Sequence, residues 1–183
     1  MDLRPASLLD GPFLLVPEPY RDERGFFTRT FDADDARRAG LDPDAFVQDS
    51  QSRSVAGVVR GMHGRVGGGE AKLVRVAHGA VLDVLVDARP GSPTFGRHET
   101  FLLDDEDLHV LYVPRGFLHG HQTLTPTADV CYRIDALHDP AEDVGVHYLD
   151  PDLGIAWPAP VTIVSERDEA AGSWAQLAGR LAG

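Results

Sequence analysis

His63 closes the run Val58-Val59-Arg60-Gly61-Met62-His63, with a guanidinium just upstream and the lone lysine of the neighbourhood, Lys72, just downstream. An imidazole titrates near neutrality, so a histidine between an anion binder and a second cation points to proton transfer on a charged substrate. His119-Gly120-His121 places two more imidazoles at i and i+2, on one face if the segment is a strand. With His63 they could make a three-histidine site for zinc or iron. Against this, the sequence after His63 runs Gly64-Arg65, so an arginine stands where a second ligand would be expected, and the preferred reading has no metal. Asp83 lies among apolar residues, and a carboxylate there needs a partner, for which His119 or His121 is suited. Arg21, Arg24, Arg29, Arg53, Arg60 and Arg65 fall within the first 65 residues, either as scattered surface charge or converging on an anion such as a phosphate.

These residues need a scaffold, and composition bounds it. The 183 residues fit a single domain spanning 1–183, and 43% apolar with 25% charged residues is typical of a folded globular chain. A formal charge of −12 argues against nucleic acid as a partner. No apolar run is long enough for a membrane helix, and the start Met1-Asp2-Leu3-Arg4-Pro5 has no secretory pattern, so a cytoplasmic location is expected. Cys131 is the only cysteine, which excludes an intrachain disulfide. Turn residues recur at short intervals, predicting an all-β sandwich or barrel. Strands are predicted over 72–77, 80–87, 98–103, 109–113, 120–124 and 129–134, and short helices over 32–39 and 173–181. Ser165-Glu166-Arg167-Asp168 has the form of a capped helical turn, with Asp168 where a side chain can bond back to the cap.

A series of blocks then carries a resemblance. Asp22-Glu23-Arg24-Gly25-Phe26-Phe27, Arg60-Gly61-Met62-His63, Ala71-Lys72-Leu73-Val74-Arg75, Pro114-Arg115-Gly116-Phe117-Leu118-His119-Gly120 and Asp150-Pro151-Asp152-Leu153-Gly154 occur in order. With Gly91 to Gly96 and Ser165 to Asp168, they resemble the dTDP-4-dehydrorhamnose 3,5-epimerase family from about Tyr20 to Asp168. The resemblance implies a cupin-like jelly-roll β-barrel with a few short peripheral helices, a homodimer, no cofactor, and a nucleotide-linked 4-keto-6-deoxyhexose as substrate. It implies His63 as base, Asp168 as its carboxylate partner, Lys72 at the enolate oxygen and Tyr132 as acid on the opposite face. His119 and Asp83 match a supporting pair, Arg60 and Arg24 diphosphate contacts, Gln48 a nucleotide or sugar contact, and Phe26 an aromatic that packs on the nucleotide. Departures from the family pattern at Gly64, Arg65, Ser50, His121 and Arg29 surround the expected sugar pocket, and Ser50 and Arg65 are therefore taken as substrate contacts. A metal-dependent cupin enzyme or a non-catalytic sugar-nucleotide binder are the competing readings.

Overall fold

The computed structural model describes residues 1–181. Two antiparallel sheets form its framework. The six-stranded sheet runs, edge to edge, β1 (Asp2–Pro5), β2 (Phe13–Val16), β10 (Val110–Val113), β7 (Lys72–His78), β12 (Thr127–Ile134) and β5 (Gln48–Val55). The five-stranded sheet runs β13 (Asp143–Gly145), β6 (Val59–Arg65), β11 (Phe117–Thr123), β8 (Ala80–Asp87) and β9 (His98–Asp104). A separate hairpin pairs β3 (Tyr20–Asp22) with β4 (Gly25–Phe27). The sheets face each other as the walls of a jelly roll and do not close into one hydrogen-bonded cylinder.

The alternation of β8 explains why both of its faces are apolar. Val81 and Leu85 join Val74, Val76, Phe101, Leu111 and Val130 in the core between the sheets. Val84 and Val86 point the other way, under Trp174 and Leu177 of α3 (Trp174–Leu181). An all-round apolar strand is thus covered twice, by the opposite sheet and by a helix. Helix α1 (Ala33–Arg38) starts where Asp32 accepts from the Asp34 and Asp35 N–H groups, satisfying donors that the first turn leaves free.

The predicted strands agree with these elements apart from their ends. Segment 120–124 begins earlier, at Phe117, because Leu118 and His119 pair with Val86 and Leu85 of β8. Strands β1 to β6 and β13 were not among those predicted. β5 reads Gln48-Asp49-Ser50-Gln51-Ser52-Arg53-Ser54-Val55 and buries only Ser54, so it lacks the apolar alternation by which a strand is recognised.

Candidate active site

His63 and His119 stand directly opposite each other where β6 and β11 pair. The two backbones meet unusually closely here. Gly61 has φ +136°, and a Cβ on it would lie 2.5 Å from Gly120 Cα. Only glycine tolerates both conditions, so Gly61 and Gly120 are what allow the neighbouring imidazoles to be set side by side.

Each imidazole has its own carboxylate. His63 Nε2 lies 2.5 Å from Asp168 Oδ1, and His119 Nε2 lies 2.7 Å from Asp83 Oδ2. Asp168 belongs to α2 (Glu166–Glu169), a single turn in which Ser165 Oγ accepts from the Asp168 N–H at 3.1 Å. The capped turn expected from sequence is therefore present. Its carboxylate, however, does not return to the cap but reaches His63 and accepts from Gly61 N–H at 3.3 Å. Burial opposes the charge of Asp168, yet the His63 ring, the Gly61 N–H and Ser165 together hold its pKa below the usual carboxylate range. An ionised Asp168 accepts from Nε2–H, which assigns the ring proton and leaves Nδ1 with a free lone pair. Asp83 behaves oppositely. Complete burial raises its pKa, with His119 and Lys72 offsetting part of the rise.

A cavity of about 870 Å³ gathers these groups. Its lining includes His63, Asp168, His119, Lys72, Tyr132, Arg60 and Ser50. His63 and Arg60 come from β6 of the five-stranded sheet, whereas Lys72 on β7 and Tyr132 on β12 come from the six-stranded sheet. The Tyr132 hydroxyl lies 3.4 Å from Ser52 Oγ, and burial pushes its pKa up to about 12, so it is a neutral phenol near pH 7. Arg60 uses Nε to donate to Ser54 Oγ at 2.9 Å and has no ion-pair partner among the described residues.

Other expected contacts lie elsewhere. Arg24 and Phe26 sit on the β3–β4 hairpin and do not line the cavity, Arg24 being paired with Asp22 and Phe26 being 50% exposed. Gln48 is likewise outside the lining, beside Ser50 at the start of β5. Arg65 needs a correction. It stands one step behind the cavity wall, with its guanidinium committed to Glu70, Asp143, the Leu137 carbonyl and His138. A side chain only 6% exposed and so fully engaged does not touch substrate in this arrangement. Glu70 bridges Arg65 at 2.8 Å to Lys72 Nζ at 2.7 Å. Glu70 was not anticipated, although an acidic residue two positions from a candidate lysine, on the same face of an extended segment, was a usable signal.

The three-histidine arrangement of the competing metal reading is not found among the described residues. The grouping with metal-ligand spacing among the described residues is Asp83, His119 and His121, while His63 is engaged by Asp168.

The family model described as dTDP-4-dehydrorhamnose 3,5-epimerase matches residues 6–176. The chain belongs to this family. It is accordingly an isomerase of the nucleotide-sugar epimerase type, with the cupin-like fold of its relatives. The dTDP-4-dehydrorhamnose 3,5-epimerase of Methanothermobacter thermautotrophicus is 41% identical over 163 residues, 87% of this chain and 88% of that protein. Among solved structures, NovW, a 4-keto-6-deoxy sugar epimerase from the novobiocin biosynthetic gene cluster of Streptomyces spheroides, superposes with a TM-score of 0.93 at 39% identity. That match covers 100% of this chain and 92% of NovW. The dTDP-6-deoxy-D-glucose-3,5-epimerase of Legionella pneumophila, solved with dTDP-4-keto-L-rhamnose, gives 0.89 at 38% identity and covers 96% of each chain.

Proposed function

We propose that the protein epimerises C3, C5 or both of a dTDP-4-keto-6-deoxyhexose, with His63 as base and Tyr132 as acid. The observation that carries this reading is that the two groups reach one cavity from opposite sheets. A sugar lying between the sheets meets an imidazole on one face and a phenol on the other, which is what inversion at a carbon beside a ketone requires.

In the proposed reaction, Nδ1 of His63 takes the proton alpha to the ketone, and Asp168 stabilises the imidazolium that forms. The C–H electron pair moves into the enolate, whose oxygen is met by the Lys72 ammonium; one such preorganised donor contributes roughly 3–4 kcal/mol. Tyr132 then delivers its proton to the opposite face and recovers one from solvent, while His63 releases to solvent the proton it took. Arg60 receives the diphosphate, for which a planar fork with unused donors is suited. The pair His119–Asp83 supports the sugar or the oxyanion, and Ser50 and Gln48 contact sugar or nucleotide. No cofactor is required by this chemistry, because proton transfer is its only currency.

A homodimer completes the proposal. Tyr20, Phe26 and Phe27 on the hairpin are 66%, 50% and 65% exposed, an apolar edge suited to a second copy, whose Arg24 and Phe26 would then reach the nucleotide. One domain working in the cytoplasm fits a chain whose described helices are all too short and polar to cross a membrane.

The test is incubation with dTDP-4-keto-6-deoxyglucose in D₂O, followed by NMR of the sugar. Deuterium at C3, at C5 or at both defines the positions inverted. No exchange at either carbon rejects the substrate class, and exchange that survives in His63→Ala rejects the base.

A further inference from the structure

Arg65 departs from the family pattern, and two of its contacts hold the segment that follows β12, the strand of Tyr132. Its Nη1 donates to the Leu137 carbonyl at 2.9 Å, and its Nη2 meets His138 Nδ1 at 2.8 Å. One planar fork thus grips the backbone of one residue and the ring of the next. Glu70 and Asp143, at 2.8 and 3.2 Å, fix the guanidinium itself. A lysine ammonium is a single point and lacks this fork.

The contact also assigns the tautomer of His138. A guanidinium has donors and no acceptor, so Nδ1 accepts and the ring proton is on Nε2. Nε2 makes no hydrogen bond among the described residues, and His138 lines the same cavity as His63, Lys72 and Tyr132. Its N–H is therefore a donor left for a ligand. The neighbours of Arg65 say which part of the ligand it meets. The guanidinium that holds His138 also reaches Lys72 through Glu70. Arg60 lies well back along β6, roughly 16 Å away at about 3.3 Å per residue. His138 accordingly stands toward the ketone-bearing sugar and away from the diphosphate.

We propose that His138 donates Nε2–H to a hydroxyl oxygen of the hexose, with Arg65 as the positioning residue that holds the ring in this tautomer. The inference rests on the nucleotide-sugar reading above and assigns part of sugar recognition to a place where the chain leaves its family pattern.

Two amide replacements separate sugar binding from loop anchoring. Glutamine carries its NH₂ near the place of Nε2, whereas asparagine carries its oxygen near the place of Nδ1. His138→Gln therefore keeps the donor for the sugar, and His138→Asn keeps only the acceptor for Arg65. KM and kcat come from initial rates of deuterium exchange with dTDP-4-keto-6-deoxyglucose, and dTDP serves as competitive inhibitor. His138→Asn should raise KM roughly 3- to 10-fold, the range of one hydrogen bond between neutral groups, with kcat held within about twofold. His138→Gln should stay within about twofold of wild type in KM, and the dTDP inhibition constant should not move in either variant. Arg65→Lys should raise KM in the native background but hardly in His138→Gln, because an amide needs no guanidinium to set its donor.

A normal KM in His138→Asn, or equal rises in both variants, means that the ring only anchors its loop and overturns the proposal. A dTDP inhibition constant that rises with KM puts the contact on the nucleotide and overturns it as well. An Arg65→Lys effect of the same size in both backgrounds removes the positioning role. No exchange by wild-type protein rejects the substrate class itself, so the two failures are told apart.

Discussion

Replacing Asp168 with asparagine tests the assignment of the base with the fewest side effects. The backbone N–H of residue 168 would still donate to Ser165 Oγ, so the α2 turn should persist. What changes is the 2.5 Å contact with His63 Nε2, made by a carboxylate only 4% exposed. A hydrogen bond to a charged group contributes roughly 1.5–3 kcal/mol, or about 10- to 150-fold in rate at 1.36 kcal/mol per decade. Asparagine adds a second loss. Its amide can turn its NH₂ toward Nε2, which moves the ring proton to Nδ1, the atom that has to accept the substrate proton. In a histidine oriented the same way within a hydrolase triad, this swap costs on the order of 10⁴ in kcat. The expected fall is therefore roughly 10²- to 10⁴-fold in kcat with KM changed by less than about threefold. Deuterium wash-in followed by NMR measures the first, initial rates against substrate the second, and a urea titration establishes that the variant is folded. A folded Asp168→Asn whose kcat stays within about fivefold of wild type would refute the role of the carboxylate.

Tyr132→Phe removes the acid but leaves the base, so epimer formation should fall by roughly 10² or more while deuterium still enters at the carbon facing His63; NMR reads both, and equal loss of the two counts against separate acid and base. Glu70→Gln leaves Arg65 and Lys72 without the carboxylate between them, and kcat should drop about 10- to 100-fold. Arg65→Gln combined with Glu70→Gln should recover at least about 1 kcal/mol of that loss in a double-mutant cycle, whereas strict additivity would mean that the residues are not coupled. Asp87 concerns stability. Burial opposes its charge, but Arg89, Ser92 and Thr94 hold its carboxyl down at about 2, from an ordinary 3.8. A depressed carboxylate stabilises the fold above pH 3.8, and that contribution disappears as pH falls toward 2. Asp87→Asn should lose about 2 kcal/mol at pH 7 and flatten the acid limb of the urea-midpoint profile, and an unchanged limb would contradict it.

The strands that carry Lys72, Asp83 and Tyr132 were readable because buried strands repeat Val, Leu and Ile between turn residues, whereas the one predicted over 120–124 stopped short of His119. The pairing of Asp83 with a histidine followed from the cost of a lone buried carboxylate, and His119 proved to be the partner. The His63–Asp168 pair was beyond local reading. Its members are 105 residues apart, and the four residues around Asp168 carry a complete local explanation as a helix cap. The resemblance supplied that contact, and the structure shows how one residue serves both uses, backbone for the cap and side chain for the histidine. Arg65 went astray for a related reason. Its departure from the family pattern put it at the expected sugar pocket, but only the folded chain brings Glu70 and Asp143 close enough to claim its guanidinium.

The position of α2 late in the chain sets the order in which the site becomes competent. β6, β7, β11 and β12 are all made before Ser165 and Asp168 leave the ribosome. Synthesis proceeds from the N-terminus, so a nascent jelly roll can fold with His63, Lys72 and Tyr132 in place and still lack the group that orients the imidazole. Emergence of α2 would then act as a checkpoint. A product cut short before Ser165 would lack both this turn and α3, which covers Val84 and Val86, and should show no deuterium exchange.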